Sequence, residues 1–297
     1  MTDTAIALDH VGVCNFELGP MTAAYEALGF TLSPIAQQSG KRTPDSPTER
    51  MATGNRCAFL RHGYIELLAI VEPGRWDNRL SEFVGRYGGL HILAMAMDDA
   101  KANLARLRRG GVDIPGIAHL ERPVDKPDGP RARFSRLPWP DAPEGRLQLI
   151  QHHTPELMWQ PHLLDHANKA DLLEELILVS PDPAESGARL SRLTGLPLEP
   201  GAAGGFVLRF PGGAGVAGPD APAMETRVSL LPPEALPAVL PGVEIPALPF
   251  LAGFVVRTSD GNAAVSRILG DKAVALPGGR LMVPPALAAG AAVVFAP

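Results

Sequence analysis

The stretch Leu8-Asp9-His10-Val11-Gly12-Val13 decides how this chain is read. It is a short β-branched run that carries one histidine, and residues 6–13 read as a strand. Residues 20–28 read as a helix, with Pro20 at its start and Gly29 as its stop signal. Phe30-Thr31-Leu32 reads as a second strand. Residues 37–49 are polar and punctuated by Gly40, Pro44 and Pro47, which predicts an exposed loop. Residues 55–60 and 64–71 read as two more strands, joined at His62-Gly63. The order is strand, helix, strand, strand, strand.

A helical connection over residues 75–87 follows, and the order restarts. Leu90-His91-Ile92-Leu93-Ala94-Met95 is a strand, and Asp98-Asp99 opens a helix with acidic residues that suit the helix dipole. That helix runs to Gly110-Gly111. Val112-Asp113-Ile114 matches Phe30-Thr31-Leu32, and after a long Pro-rich loop residues 132–136 and 146–151 complete the unit. His10 and His91 stand 81 positions apart, as do Gly29 and Gly110, while Glu66 and Gln148 stand 82 apart. A nearly constant offset points to a duplicated small unit, too long for a solenoid repeat. The same order recurs twice more: residues 174–179 and 251–257 read as strands, 184–193 and 262–269 as helices. All eight histidines fall at or before His166. The expectation is four units in two pairs, divided into residues 1–169 and 170–297, with the second pair structural, or serving as a lid or interface.

Alternate residues along a strand share a face. His10 and Gly12, Tyr64 and Glu66, and His91 and Leu93 are therefore candidate face-mates. A glutamate amid Ile65, Leu67 and Leu68 is costly to bury without a cation or a proton. A divalent ion satisfies both histidines and the carboxylate, with Gln148 as a fourth oxygen donor, and zinc, iron, nickel, cobalt and manganese all accept such a set. His152-His153 cannot serve one site from a strand, because adjacent residues point to opposite faces, so a loop pair is expected. Trp159 and His162 close over a pocket or cover the module junction. His62 and His119 read as loop residues. Arg131, Arg133 and Arg136 read as a solvated loop cluster.

Leu8-Asp9-His10-Val11, Tyr64-Ile65-Glu66-Leu67, Gly89-Leu90-His91-Ile92 and Leu147-Gln148-Leu149 resemble the glyoxalase, or vicinal oxygen chelate, superfamily. Residues 154–161 with His166-Ala167-Asn168 resemble a bacterial glyoxalase-like subgroup. The resemblance implies an α+β fold of paired βαβββ modules, whose first and last strands supply metal ligands in the order His, Glu, His, Glu or Gln. Here these are His10, Glu66, His91 and Gln148, and the amide departs from the more common glutamate. It further implies a metal-dependent lyase or isomerase that stabilises an enediolate of a small oxygenated carbonyl compound, with Glu66 as the evident base. An extradiol-type iron dioxygenase and a metal-free binding protein of the bleomycin-resistance type are the alternatives.

Composition narrows the partners. The chain of 297 residues has a formal net charge of −5, which disfavours nucleic acid. Cys14 and Cys57 make no disulfide framework. The N-terminus has no signal-peptide pattern and no apolar run reaches the ~18 residues of a membrane span. A cytoplasmic monomer or homodimer with a small-molecule substrate is expected. There is no GxGxxG, phosphate loop or GxSxG motif.

Overall fold

The computed structural model describes residues 2–42, 46–124, 129–212 and 223–297. The first module comprises β1 (Ala7–Asn15), α1 (Leu18–Ala27), β2 (Ala36–Gly40), β3 (Glu49–Phe59) and β4 (Tyr64–Ile70), and α2 (Leu80–Arg86) lies in the link to the second. That module has β5 (Gly89–Ala96), α3 (Ala100–Arg109), β6 (Ala118–Pro123), β7 (Arg131–Pro138) and β8 (Arg146–His152). Two 3₁₀ turns, Pro155–Leu157 and Pro161–Leu163, lead to the third: β9 (Ala170–Val179), α4 (Pro183–Thr194), β10 (Leu198–Pro200), β11 (Phe206–Phe210) and β12 (Thr226–Leu231). A short helix α5 (Leu236–Val239) precedes the fourth: β13 (Phe250–Thr258), α6 (Ala263–Leu269), β14 (Val274–Leu276), β15 (Arg280–Val283) and β16 (Ala292–Ala296). This is the α+β order of βαβββ modules.

In every module the first and last strands pair in parallel, β1 with β4, β5 with β8, β9 with β12 and β13 with β16. Modules join in antiparallel pairs through their first strands, β1 with β5 and β9 with β13. The two pairs touch through β13 and β5, where Leu251 faces Leu90. The first sheet curls on itself. β4 and β8 are three strands apart, about 14 Å in a flat sheet, yet the rings of Tyr64 and His152 have centroids 6.4 Å apart.

The register between β1 and β5 fixes which residues are equivalent. Leu8 faces Met95 and Val13 faces Leu90; His10 faces Ala94 and Gly12 faces Ile92. Each pair maps onto its partner pair by an offset of 82. The same offset relates the starts of α1 and α3, the starts of β4 and β8, and the positive-φ glycines Gly29 (φ 87°) and Gly111 (φ 73°). The spacing of 81 came from aligning Gly29 with Gly110, whose φ is −79°. Asp9 and His91 are the unpaired residues at the two register shifts. His91 is thus the counterpart of Asp9, and the counterpart of His10 is Ile92. A slip of one residue matters in a strand because it exchanges the faces.

Other readings shift for physical reasons. Phe30, Leu32 and Ile114 are buried in the core but lie outside any strand; the second strand is β2, within the segment expected to be a loop. β2 is polar because, among the described residues, it pairs with β3 alone. Residues 43–45 of that segment, and 125–128 of the Pro-rich loop, lie outside the described residues. In the second half, Leu236, Leu240 and Val243 of the β12–β13 link pack against Ile177, Val179, Phe250, Val255 and Val294. That sheet face is filled with apolar side chains. Glu174 and Glu175 are paired with Arg257 and Arg227.

Candidate functional site

The polar residues of interest line the inner face of the first curled sheet. Paired residues share a face, so the registers assign Asn55 and Cys57 of β3, Tyr64 and Glu66 of β4, His10 and Gly12 of β1, Ile92 and Ala94 of β5, Arg146, Gln148 and His152 of β8, and Arg136 of β7 to it.

His10 is buried and held from both sides. Its Nδ1 donates to Asp9 Oδ1 at 2.5 Å, and its ring stacks on Tyr64 with centroids 4.4 Å apart. The bulge at Asp9 brings two sequence neighbours together on this face. Asp9 is fully buried, and its second oxygen accepts from His152 Nε2 at 2.8 Å. Burial works to raise the Asp9 pKa, but His152 and His10 outweigh it and hold the carboxyl well below the usual range. With Nδ1 committed to Asp9, His10 Nε2 faces Glu66 Oε2 at 3.8 Å. A nitrogen lone pair opposite a carboxylate oxygen requires a cation or a proton there, as a carboxylate-oriented imidazole beside a ligand commonly has. The other Glu66 oxygen accepts from Asn55 Nδ2 at 2.5 Å and from Gln38 Nε2 at 3.4 Å. Gln38 is in turn fixed by Thr53 Oγ1 at 2.6 Å. The polar character of β2 therefore supports the carboxylate.

Gln148 lies in the row of His10, since both face Ala94. Gln148 Oε1, Asn55 Oδ1 and His152 Nδ1 are buried without hydrogen-bond partners among the described residues. His91 does not join them. It sits three residues along β5 from Ala94, about 10 Å at ordinary strand rise. Its Nε2 donates to Tyr87 O at 2.7 Å, and its ring stacks on Tyr87 with centroids 4.1 Å apart. Burial pushes its pKa down to about 4, against the pull of the Tyr87 carbonyl. Ile92 occupies the place of a second imidazole. It packs so closely on Gly12 that a Cβ added there would lie 2.6 Å from it. Among the described residues no three His, Cys, Asp or Glu side chains converge to hold a metal. His10 and Glu66 are brought together with Gln148 on the same floor, and the family's set of four is not assembled.

Trp159 closes the end of this floor. It is buried, donates from Nε1 to Leu60 O at 2.9 Å, and meets Phe59, Tyr64 and His152 edge-on. His162 is exposed on the outer surface of the same link. His152 and His153 part as strand alternation requires, but His152 ends β8 and belongs to the floor instead of a loop. His153 is exposed and meets Ser135 Oγ at 2.7 Å.

Besides Asp9, Gln38, Asn55 and His152, the sequence reading missed Arg136. It lies in β7, not in a solvated loop, and only Arg131 and Arg133 of the cluster are exposed. Ala132, Phe134 and Arg136 alternate with Arg131, Arg133 and Ser135. That period-two pattern was the available signal.

The glyoxalase-like domain family model matches residues 8–194. No curated relative matches the chain. Solved structures share the fold over nearly its full length. A hypothetical protein from Staphylococcus aureus aligns at 12% identity and TM-score 0.60, covering 98% of this chain and 99% of that one. The Mn(II)-bound glyoxalase from Novosphingobium aromaticivorans aligns at 12% and 0.52, covering 98% and 82%. A 2,3-dioxygenase from Pseudomonas sp. KL28 aligns at 10% and 0.51, covering 99% and 93%. At such identities they speak for the fold alone. The family match over residues 8–194, with which the four-module order and the curled N-terminal sheet agree, establishes that this chain belongs to the glyoxalase-like domain family.

Proposed function

We propose that the N-terminal sheet is the active site of an isomerase or lyase acting on a small oxygenated carbonyl compound. The observation that carries the reading is the buried pair of His10 Nε2 and Glu66 Oε2, 3.8 Å apart, with each partner fixed from behind by Asp9 and Asn55. Glu66 takes a proton from the carbon beside the carbonyl. The C–H electron pair moves into the new carbon–carbon double bond, and the carbonyl π pair moves onto oxygen. His10, protonated at Nε2 and supported by the Asp9 carboxylate, donates a hydrogen bond or its proton to that oxygen. In a hydroxycarbonyl compound, with the His10 proton now on the former carbonyl oxygen, the hydroxyl on the first carbon gives its proton back to His10 as its oxygen becomes the new carbonyl, and Glu66 delivers its proton to the former carbonyl carbon, which completes an isomerisation and restores both residues. Asn55 and Gln38 keep Glu66 aimed, and Trp159 shuts out water at one end.

The Mn(II)-bound neighbour and the family pattern raise a divalent ion as a second reading. The residues present do not fit the family's set of four, because Ile92 replaces an imidazole and His91 is bonded to Tyr87. Buried Gln148 Oε1, without a partner among the described residues, favours the ion nonetheless. A two-histidine, one-carboxylate iron triad lacks its second histidine in the same way. Metal analysis after exposure to Mn(II), Zn(II), Ni(II), Co(II) and Fe(II) separates these readings from the metal-independent one.

Deuterium wash-in beside the carbonyl, followed by NMR in D₂O, tests the chemistry itself. A panel of 2-oxo and 2-hydroxy carbonyl compounds provides the probes. Wild-type protein is expected to catalyse exchange, and Glu66→Gln to lose it by about 10²-fold or more. Equal exchange by the two proteins overturns the proposal.

A further inference from the structure

We propose that Arg136 is a carboxylate clamp, so that the compound handled at this site is a small oxo- or hydroxycarboxylic acid. The inference rests on the proposed function for the placement of the reacting carbon, and on Arg136 for the rest. Arg136 faces inward from β7, opposite Ile150 of β8 and one step along the face from Gln148. Its Nε is buried without a hydrogen-bond partner among the described residues, and Glu66 acts on the guanidinium only through its charge, not through a hydrogen bond. Burial and the neighbouring Arg146 push its pKa down to about 10, while Glu66 opposes them. Arg146 and Glu66 are therefore electrostatic neighbours of the guanidinium, but neither bonds it.

Arg136 is half-buried, with its Nε fully enclosed and bonded to nothing among the described residues; such a donor facing a polar floor is costly and is seldom retained without use. The other arginines of this face are engaged: Arg146 Nη2 donates to Asn78 O at 2.9 Å and the guanidinium lies over Phe83, and Arg122 Nη2 reaches Met158 Sδ at 3.4 Å. Three guanidinium groups thus face two buried carboxylates, Asp9 and Glu66, and the excess favours an anion. Phosphate and carboxylate both suit a guanidinium fork, which bonds either in bidentate fashion. The floor favours the smaller group, because Glu66 and Asp9 already place two negative charges on it. The unpartnered oxygens of Gln148 and Asn55 are acceptors. They ask for hydroxyl donors on the same ligand, which a hydroxy acid or the enol form of an oxo acid supplies.

The test uses glycolate, lactate, glyoxylate and pyruvate, with the primary amides of the same acids as neutral controls and inorganic phosphate as the competing anion. Binding is read by calorimetry on wild-type protein, Arg136→Met, Arg136→Lys and Glu66→Gln, each checked for folding by near-UV circular dichroism. At least one acid is expected to bind wild type ten-fold or more tightly than its amide and than phosphate. Arg136→Met is expected to erase that preference, so that acid and amide bind alike, and Arg136→Lys to restore part of it. Acids and amides binding alike, an acid preference that survives Arg136→Met, phosphate binding best, or no binding by any acid each overturns the clamp. Failure of the proposed chemistry looks different. Acid binding that depends on Arg136, without deuterium exchange in wild type, leaves the clamp and removes the proton transfer. Exchange that depends on Glu66 but is equal for acids and amides does the reverse.

Discussion

Protonation of His91 should destabilise the fold, and the size of the effect follows from its surroundings. The ring is fully buried, stacked on Tyr87, and donates from Nε2 to Tyr87 O. Its pKa is about 4 in the folded chain against 6.5 in the open chain. The folded state therefore favours the neutral ring, and the unfolded state binds more protons between these two values. Stability from this group is complete above pH 6.5 and falls as the pH drops toward 4. The difference between these two values corresponds to about 3 kcal/mol lost by pH 4. Asp9 does not confuse this window, because its stabilising contribution is lost only below the ordinary carboxylate range. His62 and His166 are also shifted down by burial, so the comparison must be differential. Urea unfolding of wild type and His91→Gln at intervals from pH 7.5 to 4 is the assay. The wild type should lose about 3 kcal/mol more than the variant across that range. Parallel profiles would refute the buried, neutral, carbonyl-bonded ring.

Two further outcomes follow from the floor itself. Asp9→Asn leaves two imidazoles without their shared carboxylate and should cost about 3–5 kcal/mol of stability, measured by denaturant titration. Gly12→Ala puts a methyl group against Ile92, whose atoms lie 2.6 Å from the added carbon; overpacking of this kind costs about 1–3 kcal/mol, and a double variant with Ile92→Val should recover part of the loss in a thermal melt.

Much of the fold was legible because hydrophobic runs, helix stops and a repeated order are local signals. The strand of His10, the helices over 183–194 and 263–269 and the closing strands all carry them. The register was not legible. Two adjacent glycines, Gly110 and Gly111, offered alternative landmarks, and only the backbone shows that Gly111 has the positive φ shared with Gly29. That single residue separates a second imidazole from Ile92. β2 was hidden for another reason: among the described residues it makes strand pairs with β3 alone, so its side chains have no need to be apolar, and Gln38 is there to meet Glu66 and Thr53. The joint role of Asp9 depends on a bulge and on a residue 143 positions away, His152. No spacing rule reveals such a contact. Arg136, by contrast, was readable from alternation along β7 and was obscured by the prolines around it.

His10 lies on the proposed reactive floor, and its apparent repeat partner His91 does not. Deuterium wash-in with the oxo- and hydroxy-acid panel in His10→Gln and His91→Gln, at pH 7.5 where both folds are stable, tests it directly. His10→Gln is expected to lose exchange by about 10²-fold or more, while His91→Gln stays close to wild type. Equal losses in the two variants would contradict it.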